Sequence, residues 1–121
     1  MKSIIDKLEE EKLKSITAIN EMEKAEAEFE RISDLAIQED SSDMTALMWE
    51  WVETRKDMEN AIIKARKQVI DYANFIGIKI KKEHIKYDFD IKKKFYEIEG
   101  YANEMAKQIT KVRDEYMEWH F

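Results

Sequence analysis

From Met44 to Ile76 the chain repeats residues at steps that alternate four and three without a miss: Met44, Met48, Trp51, Arg55, Met58, Ile62, Ala65, Val69, Tyr72 and Ile76. All but Arg55 are apolar. A 3.5-residue period is the signature of a helix whose seam faces a partner helix. A helix over 44–76 is about 50 Å long, so its partners must be long too. A second stripe, Trp49, Val52, Ile63, Ile70 and Ala73, runs beside the first. Two adjacent stripes predict a helix packed between two neighbours.

Those neighbours are present in the sequence. Residues 91–119 carry another unbroken seam: Ile91, Phe95, Ile98, Ala102, Met105, Ile109, Val112, Tyr116 and Trp119. Gly100 lies off it and costs roughly 1 kcal/mol against alanine, which predicts a kink or a close contact. In residues 3–37, Ile4, Leu8, Ala18, Met22, Ala25, Phe29, Ile32 and Ala36 fit a heptad that Glu11 and Ser15 interrupt. Ile5, Leu13, Ile16 and Ile19 lie outside it, so the apolar face is expected to rotate. Ser3 suits an N-cap, and "QEDSSD" at 38–43 suits a turn in which Ser41, Ser42 or Asp43 caps the next helix.

The expected fold is mainly α. It is an elongated antiparallel three-helix, coiled-coil-like bundle, up-down-up, in a single domain over 1–121. Its helices span about 3–38, 44–76 and 91–120. Residues 77–90 form a basic insert, and their reading is open. Apolar residues alternate there (Ile78, Ile80, Ile85, Tyr87, Phe89), which favours a β-hairpin turning at 81–84. Ile80, His84, Tyr87, Ile91 and Phe95 also fit a helix stripe, which would make four helices.

Composition narrows the chemistry. With no cysteine there is no disulfide framework and no thiolate site. No proline and two glycines leave room for few loops. The N-terminus lacks the apolar run of a signal peptide, and no stretch reaches about 20 apolar residues. A cytoplasmic protein without a membrane span is expected. The two histidines, His84 and His120, stand apart from any nucleophile, Glu-x-x-His pair or zinc-ligand spacing. No catalytic residue, metal ligand or cofactor motif is assigned, and an enzyme is not expected.

Three surfaces and one charge stand out as candidates. The net charge of −6 is uneven: residues 1–43 carry −7 and residues 77–95 carry +4. Lys79, Lys81, Lys82, Lys86, Lys92, Lys93 and Lys94 form the basic segment, where Tyr87 or Phe89 could stack on a base. No arginine, the usual base reader, accompanies them, and Asp88 and Asp90 oppose them. Glu21, Glu23, Glu26, Glu28, Glu30 and Asp34 form an acidic face able to imitate a phosphate backbone. In an up-down-up bundle Trp49 and Trp51 meet Tyr116, Trp119 and Phe121 at one end, an aromatic interface of the kind that anchors protein partners. Arg55 should meet a carboxylate of a neighbouring helix or snorkel to water.

These surfaces predict a protein-interaction or assembly module, able to self-associate into a homo-oligomer. A small acidic inhibitor of a nucleic-acid-processing enzyme, of the mobile-element type, is the alternative. Direct nucleic-acid binding through 79–94 is a further one.

Overall fold

The computed structural model describes residues 2–38 and 44–120. Three long helices dominate: α1 (Ile4–Gln38), α2 (Met44–Phe75) and α3 (Asp88–His120). One 3₁₀ turn, Lys82–Ile85, interrupts the link between α2 and α3. The expected turn at 38–43, its capping residues and Phe121 lie outside the described residues, Gln38 excepted.

Ser3 caps α1 as its sequence suggests. Its Oγ accepts from the Asp6 N–H at 3.1 Å, and its own N–H donates to the Asp6 carboxylate at 3.4 Å. This reciprocal pair satisfies donors that a helix N-terminus otherwise leaves open. α2 ends at Gly77, which adopts φ 84°. The Ile78 N–H reaches back to the Ala73 carbonyl at 2.8 Å, and the Gly77 N–H to Asn74 at 3.1 Å. That is the Schellman arrangement, which requires a left-handed residue.

α1 and α2 run antiparallel. Trp51 Nε1 donates to Ser33 Oγ at 2.9 Å, Lys64 pairs with Glu21 at 3.3 Å, and Gln68 donates to Glu11 at 2.9 Å. Ser15, an interruption of the α1 heptad in sequence, is wholly buried. It sits seven residues from both Leu8 and Met22, themselves buried. Its hydroxyl donates to the Glu11 carbonyl at 2.9 Å, so a small polar residue is buried with its hydrogen bond intact.

The third helix departs from the expected topology. Lys92 pairs with Glu23 at 2.7 Å, and further along α3 Glu99 approaches Lys12 at 3.9 Å. Rising numbers in α3 therefore meet falling numbers in α1, and α3 runs parallel to α2. An up-down-up bundle would have α3 antiparallel to α2. The cause lies in residues 76–87, which double back along α2 before α3 begins. There Ile85 is fully buried. Arg66 of α2 donates from Nε to the Ile85 carbonyl and from Nη2 to the Lys86 carbonyl, each at 3.0 Å.

The same contacts replace the expected β-hairpin. Residues 78–81 are extended without a strand, and 82–85 form the 3₁₀ turn. Strand alternation would put Ile85, Tyr87, Phe89 and Ile91 on one face. Instead Ile85 and Ile91 are buried while Tyr87 and Phe89 are exposed. An isolated two-stranded ribbon is marginal in water. Burying Ile85 is worth about 1.5–3 kcal/mol, and the Arg66 fork takes carbonyls that a ladder would have used. The α3 helix begins at Asp88, ahead of the expected 91.

The core gathers where all the elements overlap. Ile19 and Met22 of α1, Val69 and Tyr72 of α2, Ile85, and Ile91, Phe95 and Ile98 of α3 form one buried cluster. The Tyr72 and Phe95 rings lie 6.1 Å apart. Burial, with Glu99, Glu9 and Glu11 near, pushes the Tyr72 hydroxyl up to about 12. Gly100 makes no close contact: a Cβ there would meet nothing within 4 Å.

The two glycines should respond oppositely to alanine. Gly77→Ala should lower the unfolding free energy by about 1–2 kcal/mol through its left-handed backbone. Gly100→Ala should raise it by about 0.5–1 kcal/mol, both read from urea denaturation. Arg66→Met should cost about 1–3 kcal/mol by stranding two carbonyls. Amide exchange in 88–102 should accelerate more than in the α1–α2 contact around Ile32.

Candidate functional site

The topology separates the expected aromatic end into two. Trp51 lies beside Ser33 and Phe29, with ring centroids of Phe29 and Trp51 5.4 Å apart. Trp49, two residues before Trp51 in α2, is exposed. Trp119 instead lies beyond the N-terminus of α1, at the opposite end, because α3 runs parallel to α2. Trp49 and Trp51 therefore do not meet Tyr116 and Trp119.

What the structure builds there is a projecting arm. The α3 seam is buried from Ile91 to Ala102, Met105 is exposed beside half-buried Ala106, and residues 111–119 are exposed throughout. From 107 to 119 the helix runs about 20 Å past the end of α1. Its heptad continues unchanged: Val112 and Trp119 hold the same register as Ile98, yet are 63% and 86% exposed. Ile109, half-buried, begins this stretch, and Tyr116 and Met117 are largely exposed within it.

Arg55 meets a carboxylate of its own helix, not of a neighbour. It donates to Glu59 at 3.2 Å and lies 5.5 Å over the Trp51 ring. Its head is exposed, which agrees with snorkelling and leaves the Trp51 contact as a cation–π pair.

The seven lysines do not form one field. Lys92 is engaged by Glu23, which raises its pKa, and Lys94 pairs with Glu97 at 3.1 Å. Lys79, Lys81, Lys82, Lys86 and Lys93 are exposed and have no ion pair among the described residues. Tyr87 and Phe89 stack on each other at 5.8 Å and 6°, so each covers a face that a base would need.

The acidic face is likewise divided. Glu21 faces Lys64 of α2, and Glu28 is held below the usual carboxylate range by Arg31 at 2.6 Å. Glu23 and Glu26 face α3 instead. Glu30 and Asp34, one turn apart, are exposed without an ion pair among the described residues.

Sequence reasoning missed two groups. Arg66 was hidden as one more charge on an amphipathic helix, although it stands between Ile62 and Ile70 on α2. Glu26 carried no signal, since its partner Asp88 is remote in sequence. Partial burial and a hydrogen bond with Asp88, with the charges of Asp88 and Glu23, push Glu26 up to about 7. The same bond lowers Asp88. The two carboxyls lie together where α3 starts, beside the Lys92–Glu23 pair that joins α3 to α1.

Among the described residues no three His, Asp or Glu side chains assemble as a metal site, and no helix is long and apolar enough to cross a membrane. No protein family, curated protein or solved structure matches the chain.

The Glu26 proton is held more tightly in the folded chain than at its ordinary value of 4.5. Stability should therefore fall as pH rises from about 4.5 through about 7. Asp88 acts in the opposite sense, losing its contribution only as pH falls below its ordinary 3.8. Glu26→Gln keeps a donor to Asp88 without the charge. Its urea midpoint should exceed that of the wild type by a margin that widens from pH 5 to pH 8.

Proposed function

We propose that the chain is a non-enzymatic protein-interaction or assembly module whose binding element is the arm of α3. The observation that carries this reading is the continued heptad of residues 107–119, whose Val112 and Trp119 are exposed beyond the end of α1. A seam residue left in water forfeits about 1.5–3 kcal/mol that burial would supply. Exposed apolar rows of this kind mark interaction surfaces. The helix-in-groove mode reads such a face through anchors at i, i+3 and i+7, and aromatic residues with a methionine beside them suit that role. Lys107, Lys111 and Arg113 occupy the first half of the arm and Asp114, Glu115 and Glu118 the second, a rim of both signs that confers specificity more than strength.

The test is the paired variant Val112→Glu/Trp119→Glu. Both positions are exposed, so circular dichroism and the urea midpoint should match the wild type within about 0.5 kcal/mol. Immobilised wild-type chain, offered lysate of the native host and purified chain, should retain a protein that the variant loses. Retention of the same proteins by both would refute the arm as the binding element.

A further inference from the structure

We infer that the arm of one copy docks into a groove on the far end of a second copy, so that the chain assembles head to tail. This rests on the arm being a binding element and names its occupant.

The groove follows from the early start of the α1–α2 pair. α3 begins at Asp88, one turn before Lys92, which pairs with Glu23, so, among the described residues, 27–38 of α1 and the facing part of α2 have no third helix over them. The faces that α3 and its preceding link cover lower down continue upward bare. Ile37 lies eighteen residues, or five full turns, from Ile19, and Val52 the same distance from Ile70. Ile19 is buried and Ile70 packs against the core, whereas Ile37 is 83% exposed and Val52 47%. Met48, one turn from Val52, is exposed too. These three apolar side chains, with the edge of Trp51, form a two-helix face that lacks the helix it is patterned for.

The arm matches that gap in length, pattern and charge. Twelve residues of α1, 27–38, span about 18 Å, and arm residues 107–119 about 20 Å. Val112 repeats Ile98 two heptads later, so the arm presents the face that α3 already uses on α1 and α2. Arg113 repeats the register of Lys92 three heptads later, and Lys92 pairs with Glu23. Glu30 repeats Glu23 one heptad up α1, with Asp34 one turn beyond. A docked arm running in the sense of α3 brings Arg113 between these two acids. Arg113, Glu30 and Asp34 have no ion pair among the described residues.

Arm and groove are different surfaces at opposite ends, so the contact is heterologous and does not close on two copies. One helix of this length buries an area at the small end of protein interfaces, so assembly should be reversible and concentration-dependent.

Sedimentation velocity on full-length chains tests this, using an arm variant (Val112→Glu/Trp119→Glu) and a groove variant (Ile37→Glu/Val52→Glu). Circular dichroism should show both folded, since all four sites are exposed. Wild type should form species larger than a dimer as concentration rises. Each variant alone should remain monomeric. An equimolar mixture should give a one-to-one complex and nothing larger, because one intact arm and one intact groove remain. Arg113→Glu should weaken wild-type assembly at least tenfold, and Glu30→Arg/Asp34→Arg in the same chain should restore it. A groove variant that still dimerises, a mixture that stays monomeric, or a wild type monomeric at every concentration overturns the head-to-tail contact. Arm-dependent capture of a different protein would survive any of these results, so the two readings fail separately.

Discussion

The arrangement of this chain depends on one fork. Arg66 holds the carbonyls of Ile85 and Lys86 at 3.0 Å each while the Ile85 side chain is buried. A 3₁₀ turn offers poor internal hydrogen bonding, so its carbonyls need an outside donor. Guanidinium supplies two in fixed geometry. With that turn fixed against the middle of α2, α3 starts one turn before the Lys92–Glu23 pair and not at the end of α2. Its direction and its overhang both follow.

The consequence is a staggered molecule. Its middle contains α1, α2, the link and the first half of α3, and there the apolar seams are buried together. Among the described residues, one end is α1 and α2 and the other is α3. Each overhang continues a pattern that is satisfied in the middle, as the pairs Ile19 with Ile37 and Ile98 with Val112 show. The stagger thus converts core-forming sequence into exposed surface without changing the sequence pattern. Polar contacts reinforce the offset. Lys92–Glu23 and Lys12–Glu99 join α3 to α1 at this level, though exposed ion pairs add little stability each.

This stagger also explains which candidate surfaces kept their force. In sequence the lysines and the acids form blocks along the chain. Helix packing turned Lys92 of the basic block towards Glu23 and Lys64 of α2 towards Glu21, so the acidic block is partly neutralised from both neighbours. An up-down-up bundle would gather the aromatic residues into one cluster. Their separation leaves Trp51 as a packing residue between α1 and α2 and Trp119 as an exposed one.

The sequence by itself determined the helices. The helices over 44–75 and 91–120 and the Ser3 cap are local features whose physics acts within a few turns, and each stands where the pattern placed it. Ser15 reads as an interruption of the α1 heptad, yet it is buried between Leu8 and Met22 because its hydroxyl bonds the Glu11 carbonyl. Tertiary structure alone decided the direction of α3, the fate of residues 77–90 and which half of each seam is buried. A heptad states that a face must be covered but not by which element, in which direction or at what offset. Those choices came from Ile85 and Arg66, 19 residues apart, and from Glu23 and Lys92, more remote still. Contacts at such separations leave no period in the sequence to read.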